Sequence, residues 1–271
     1  MKKIISAILM LSIISIFVGC NSQTTKETEK KAVSTIEQIQ TNGYINIGTT
    51  GEQFPFSFKD KDGNLQGIDI DLANKFAEEL GIKAKFIQED IDQLQTSLIN
   101  KKIDIILSGF SITVKRNTNL LFTSPYFETG KAILSRIPEI KKGDKEFINR
   151  KEVTLVTIDK SSSLEFLKEN FPNATVITKE NVTECEEVLF SGEANGYIGD
   201  YELCENLFFS NKNNGDYNFR NLGTLDNHEF IGAAVSADDF HFFNLVDNFI
   251  KKIDRESQDI KIEESWLKYS N

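Results

Sequence analysis

Twice along this chain, runs of strand pattern alternate with runs of helix pattern, and no other feature restricts the fold as tightly. Tyr44-Ile45-Asn46-Ile47-Gly48-Thr49 alternates apolar and polar residues, the period of two that puts successive side chains on opposite faces of a strand. From Asp71, the positions Leu72, Ala73, Phe76, Ala77 and Leu80 recur at helical spacing, with Gly81 as the C-terminal cap. Residues 84–87 read as a second strand. Asp90 suits the cap of a helix carrying Ile91, Leu94, Leu98 and Ile99 on one face. Residues 103–107 read as a third strand, mostly apolar, as in a sheet covered on both sides. Three strands joined by two helices make a parallel βαβαβ layer.

The rhythm restarts at residues 153–156. A helix from about 162 to 170, a strand over 174–178, a helix carrying Val182, Cys185, Val188 and Leu189 up to Gly192, and a strand over 194–199 follow in turn. Between the two units lies Lys131–Ser135 and then a lysine-rich polar stretch. A strand over 230–235 and two amphipathic helices, 238–253 and about 257–269, complete the pattern, with Phe240, Phe242, Phe243 and Phe249 read as core packing. The expectation is an α/β chain of two lobes, each a mostly parallel sheet flanked by helices. Such sheets take small ligands in the cleft at the carboxyl ends of their strands.

The N-terminus follows other rules. Lys2-Lys3 precede Ile4 to Val18, an apolar run of 15 residues broken only by serines. That is short for a bilayer span and right for the apolar part of an export signal. It ends in Phe17-Val18-Gly19-Cys20, which resembles the bacterial lipobox, where the cysteine is lipidated with palmitate and becomes the mature N-terminus. Asn21 to Lys31 contains no apolar residue to bury and reads as a tether. The expected organisation is residues 1–19 as lipoprotein signal peptide, 20–40 as lipidated cysteine and flexible tether, 41–128 plus 226–271 as lobe 1, and 129–225 as lobe 2. The soluble part would sit outside the cytoplasm, anchored to the cell membrane. An export-compatible compartment permits a disulfide between Cys185 and Cys204, although two buried thiols fit their apolar surroundings as well.

With 31 Lys and Arg against 41 Asp and Glu, the formal charge is −10, which repels phosphate backbones and argues against a nucleic-acid partner. His228 and His241 have neither a CxxC nor an HExxH partner, so no metal is expected. There is no GxSxG, phosphate-cradling loop or dinucleotide fingerprint, and no cofactor is expected.

Several stretches in order carry a resemblance. Gly48-Thr49-Thr50-Gly51-Glu52-Gln53-Phe54-Pro55-Phe56-Ser57-Phe58, then residues 62–73 (DGNLQGIDIDLA), residues 102–106 (KIDII), residues 108–116 (SGFSITVKR) and residues 123–127 (TSPYF) together resemble the polar amino-acid-binding proteins of ATP-driven (ABC) importers, the bacterial extracellular solute-binding proteins of family 3, here of lipoprotein type. The similarity runs from about 43 to 270. It implies two α/β lobes of the type II periplasmic-binding-protein fold, joined by two crossover hinge segments near residues 126–131 and 222–227. It also implies an amino acid as ligand, a membrane permease with its ATPase as partners, and a monomer that is not an enzyme.

A free amino acid carries a carboxylate and an ammonium, and taking both out of water is costly unless each meets opposite charge and hydrogen bonds. Arg116 alone reads as a surface arginine on a first helical turn. The resemblance makes it the planar fork that holds the carboxylate, assisted by Ser111 and by backbone at Gly109. Ser162 and Ser163, at the start of a helix, add hydroxyls and free N–H groups, with Ser161 standing where relatives have glycine. Asp200, at the end of its strand, becomes the partner of the ammonium rather than a plain helix cap. Thr50, Gln53 and Ile91 then line the side-chain pocket, and Phe54 and Phe110 offer apolar contact. No carboxylate stands at Thr50 or Gln53 to meet a cationic side chain, which favours a neutral, polar ligand. The alternatives from other classes are a cleft enzyme of the cyclohexadienyl or arogenate dehydratase kind, with Glu52 as acid, and a sensory or adhesive surface module.

Overall fold

Ser34 caps a helix that the tether reading did not include. Its hydroxyl accepts from the Glu37 N–H, and Gly43 closes the helix in the left-handed conformation, which glycine takes without Cβ strain. The helix, α1 (Thr35–Asn42), buries Ile39 to 1% exposure in the core of lobe 1. The expected tether to residue 40 is therefore corrected, because a buried isoleucine and two caps fix the chain from Ser34 onward. The computed structural model describes residues 34–136, 140, 145–211, 218–221, 228–255 and 266. The signal, Cys20 and the polar segment to residue 33, the expected crossing at 222–227, and all but Trp266 of the expected last helix lie outside them.

Lobe 1 follows the first alternation. After β1 (Tyr44–Thr49) come a small antiparallel sheet of β2 (Glu52–Gln53), β3 (Ser57–Lys59) and β4 (Leu65–Gln66), then α2 (Ile68–Glu79), β5 (Lys83–Gln88), α3 (Ile91–Ile99), β6 (Ile105–Ile106), the single turn α4 (Val114–Asn117) and β7 (Leu120–Phe122). β1 pairs in parallel with β5 and β6. Alternate residues serve opposite faces: Ile105 joins the cluster under α2 with Ile45, Leu72 and Phe76, while its neighbour Ile106 joins the cluster under α3 with Ile91, Leu94 and Leu98.

β8 (Phe127–Thr129) leaves lobe 1, and β9 (Lys131–Ser135) opens the sheet of lobe 2. α5 (Lys145–Ile148), β10 (Thr154–Ile158), α6 (Ser162–Asn170), β11 (Thr175–Lys179), α7 (Val182–Ser191), β12 (Gly196–Asp200), α8 (Tyr201–Asn211) and β13 (Asn218–Asn221) complete that lobe. Its strand order is β11-β10-β12-β9-β13, with β10 parallel to β11 and β12, and β9 antiparallel to β12 and β13. Cys185 and Cys204 are buried free thiols on α7 and α8, and burial pushes the Cys185 thiol up to about 12.

The return path differs from the single strand expected at 230–235. It divides into β14 (Glu229–Ile231) and β15 (Ala234–Ser236). β14 pairs antiparallel with β8, so the two crossover segments form one ribbon between lobes. β15 inserts between β6 and β7, antiparallel to both, giving the lobe 1 order β5-β1-β6-β15-β7. The split at residues 232–233 lets one stretch serve hinge and sheet. α9 (Phe240–Arg255) then covers lobe 1 with Phe242 and Phe249. Phe240, expected in the core, is exposed at the helix start and stacks on Phe243 instead. This is the two-lobed type II fold.

Candidate functional site

The carboxyl ends of β1, β6, β10 and β12 meet across the gap between lobes, where the backbone must turn tightly. Gly109 has φ 54°, and a Cβ there would lie 2.6 Å from the Phe56 ring and 3.0 Å from Gln53 Nε2, so the position requires glycine. Its N–H donates to Asp69 Oδ2 at 2.5 Å, and the Tyr126 hydroxyl donates to Asp69 Oδ1 at 2.6 Å. Burial lifts the Asp69 carboxyl to about 6 although both hydrogen bonds pull it down.

Four residues past Gly109, Thr113 caps α4 by accepting from the Arg116 N–H at 3.2 Å. Arg116 is only 6% exposed. Its guanidinium lies 3.9 Å from the centroid of the Phe110 ring, which stacks on Phe122. It donates to the Ser111 carbonyl at 3.0 Å and, across the gap, to the Lys160 carbonyl at 3.5 Å. Burial lowers its pKa to about 10 against the pull of Glu229, Glu165 and Asp200, so it stays cationic at neutral pH.

Lobe 2 supplies the facing wall. Lys160 takes the left-handed turn at φ 53°, and Ser161 adopts ordinary extended backbone and caps α6 through the Leu164 N–H at 3.1 Å. This leaves Ser162 and Ser163 on the first turn facing the gap. Ser162 Oγ lies 2.9 Å from Ser111 Oγ of the other lobe. Asp200, 5% exposed, ends β12 and accepts from Gln53 Nε2 of lobe 1 through Oδ2. Exposed pairs outside reinforce the approach: Lys160 with Asp92 at 2.8 Å and Lys115 with Glu165 at 2.9 Å.

The cleft is lined by Gln53, Ile91, Gly109, Ser111, Ser162, Ser163 and Asp200 among others, so most of the sequence-derived site residues meet there. Thr50 lines a second space beside it, shared with Gln53 and Ile91 and fringed by Glu52, Asp90 and Glu180. Two aromatics are placed differently from the expectation. Phe110 is fully buried as the platform under Arg116. Phe54 packs into the core of lobe 2 beside Val182 and Cys185, tilted on Phe58 with centroids 5.0 Å apart.

Two buried charged side chains beside the cleft escaped the sequence reading. Lys131, 1% exposed at the start of β9, lies 2.5 Å from Asp200 Oδ1 and forms a second ion pair with Glu229 at the start of β14. The available signal was a lysine opening an otherwise apolar, sheet-bound run, which needs a counterion. Glu229 carried no comparable mark. Burial raises the Asp200 carboxyl although Lys131 opposes it. Chemically, the cleft presents hydroxyls suited to an anionic group, with the Arg116 guanidinium buried against the Ser111 carbonyl beside them, and a carboxylate suited to a cationic one.

The sequence profile of bacterial extracellular solute-binding proteins, family 3, matches residues 45–269. The glutamine-binding protein GlnH of an ABC transporter from Bacillus subtilis strain 168 is 27% identical over 286 residues, covering 99% of this chain and 98% of that protein. Cyclohexadienyl dehydratase from Pseudomonas aeruginosa is 27% identical over 158 residues, 58% of this chain; the chain spans 59% of that relative's length. Among solved structures, the ancestral amino acid-binding protein AncCDT-1, a precursor of cyclohexadienyl dehydratase, superposes with a TM-score of 0.75 at 30% identity, over 86% of this chain and 99% of that one.

Proposed function

The chain belongs to the bacterial extracellular solute-binding proteins of family 3, and on that premise we propose that it captures a free amino acid with a neutral, polar side chain and delivers it to an ABC permease. One observation carries the reading: Asp200 of lobe 2 lines the cleft with Ser111 and Ser162, and the Arg116 guanidinium of lobe 1 is buried against the Ser111 carbonyl at its edge. Opposite charges held apart by hydroxyls suit the two ends of a zwitterion. Gln53, Thr50 and Ile91 supply amide, hydroxyl and apolar contact for a side chain. Cys20 carries the lipid that keeps the protein at the membrane, a monomer beside its permease.

The charge preference has a specific rival. Glu52, Asp90 and Glu180 fringe the outer space and favour a cationic side chain that reaches the mouth. Asp90 and Glu180 retain solvent contact, so they repay less of a buried cation's desolvation than an enclosed carboxylate would, and Glu52, with one oxygen buried and unpaired, is the strongest of the three candidates. Titrating arginine and glutamine against the protein decides it: sub-micromolar arginine with no glutamine binding overturns the neutral reading. A lyase reading rests on the dehydratase relative, and product formation from prephenate or arogenate would establish it in place of capture.

A further inference from the structure

The ion pair on the cleft floor has the charge pattern of a ligand. Lys131 extends its ammonium to Asp200 at 2.5 Å and to Ser162 Oγ at 2.8 Å. Glu229 pairs its carboxylate with that same ammonium, close to Ser111 and Ser162. Burial pushes that carboxyl up, but the Lys131 charge and hydrogen bond, followed by the two hydroxyls, hold it below its ordinary value. Glu229 is also the strongest charge acting in favour of the Arg116 cation. An ammonium therefore meets Asp200 and Ser162, and a carboxylate stands beside Ser111 and Ser162 within the field of Arg116. These are the complements that the two ends of a free amino acid require.

We propose that Lys131 and Glu229 form an internal zwitterion that competes with the solute for Arg116, Ser111, Ser162 and Asp200, and so sets which solutes the cleft accepts. The inference rests on the reading of the cleft as an amino-acid site. Its physical basis is that both residues can leave together. A groove of about 690 Å³ runs beside the hinge ribbon, with Lys131, Ser162 and Glu229 in its wall alongside Thr113, Lys115 and His228. Turning into it as a pair, the two charges keep each other as partners and avoid the cost of an orphaned buried ion. A solute bearing both charges replaces both halves at once. A solute bearing only one displaces half the pair and parts it from its mate, so the pair selects for zwitterions.

The test compares the full chain with a double variant, Lys131→Met with Glu229→Gln, which removes both charges so that neither is stranded. Calorimetric titration with the amino acid that the wild type binds most tightly is expected to show affinity at least about tenfold higher in the variant, because the competitor is gone. The same solute with its α-amino group replaced by hydrogen should gain more than the intact amino acid, because in the wild type it also bears the cost of parting the pair. Equal or weaker binding of the amino acid by the variant overturns the pair's role alone. Absence of amino-acid binding by both proteins overturns the reading of the cleft, and the pair's role with it. If the double variant lacks a cooperative melt, Lys131→Gln with Glu229→Gln keeps polar partners for Asp200 and Ser111 and takes its place under the same criteria.

Discussion

Replacing Arg116 by alanine removes the group on which carboxylate recognition depends, and its surroundings set the size of the loss. The guanidinium is buried, held over Phe110 at 3.9 Å, and fixed by the carbonyls of Ser111 and Lys160 at 3.0 and 3.5 Å. With a pKa of about 10 it is protonated at pH 7, so it meets a carboxylate with full charge and little orientational freedom left to lose. Truncating one partner of such a buried, hydrogen-bonded charge pair costs about 2–5 kcal/mol, which is roughly 30- to 4,000-fold in Kd. Arg116→Lys keeps the charge but not the planar fork or its stack on Phe110, and should fall between wild type and alanine. Calorimetry with the bound amino acid reads the affinities, and near-UV circular dichroism checks that the lobes remain packed. Alanine binding within twofold of wild type, in a folded protein, would refute the assignment.

Three further outcomes are expected. Ile39→Ala should destabilise the protein by about 2–5 kcal/mol, seen as a lowered urea midpoint, because Ile39 anchors α1 in the lobe 1 core; a change below about 0.5 kcal/mol would return α1 to the tether. Thermal stability should rise on acidification from pH 7.5 to 5.5. Burial raises Asp69 to about 6 and both Glu186 and Glu202 to about 7, above their ordinary values. Between roughly pH 4 and 7 the folded chain therefore holds protons that the unfolded chain has released, and stability is lost as pH rises through that window. A higher Tm at pH 7.5 would contradict this. Cys20→Ala should leave ligand affinity unchanged while the protein accumulates unprocessed or released, and mass spectrometry finding an unmodified Cys20 in mature protein from its own host would end the lipid-anchor proposal.

Much of the fold was legible because burial on both faces of a parallel sheet leaves apolar runs, and the covering helices leave a 3.6-residue period. β1, β5, β9 and β10 lie within a residue or two of where the pattern puts them. α1 was not, because only Ile36 and Ile39 mark its inner face and its surroundings are polar. The break between β14 and β15 left no trace either, since hinge and sheet both bury apolar side chains there. In the site, Arg116, Ser111, Ser162 and Asp200 were readable through the order of motifs; the last three line one cleft, while Arg116 is buried beside it against the Ser111 carbonyl. Phe110 and Phe54 show the limit of that reading, because a residue's position in a motif does not reveal which side of the loop its ring occupies. Lys131 and Glu229 lie about 100 residues apart in sequence, and only the β8–β14 ribbon brings them into contact.

The central claim is that both charged ends of an amino acid are held, one by each lobe. Titrating the wild-type protein with L-glutamine, and then with glutamine whose α-carboxylate is converted to an amide, tests it most directly. The account predicts binding of the free amino acid and a loss of roughly 30-fold or more once the carboxylate is blocked, since Arg116 is then left buried without its anion. Equal affinity for the two compounds would contradict it.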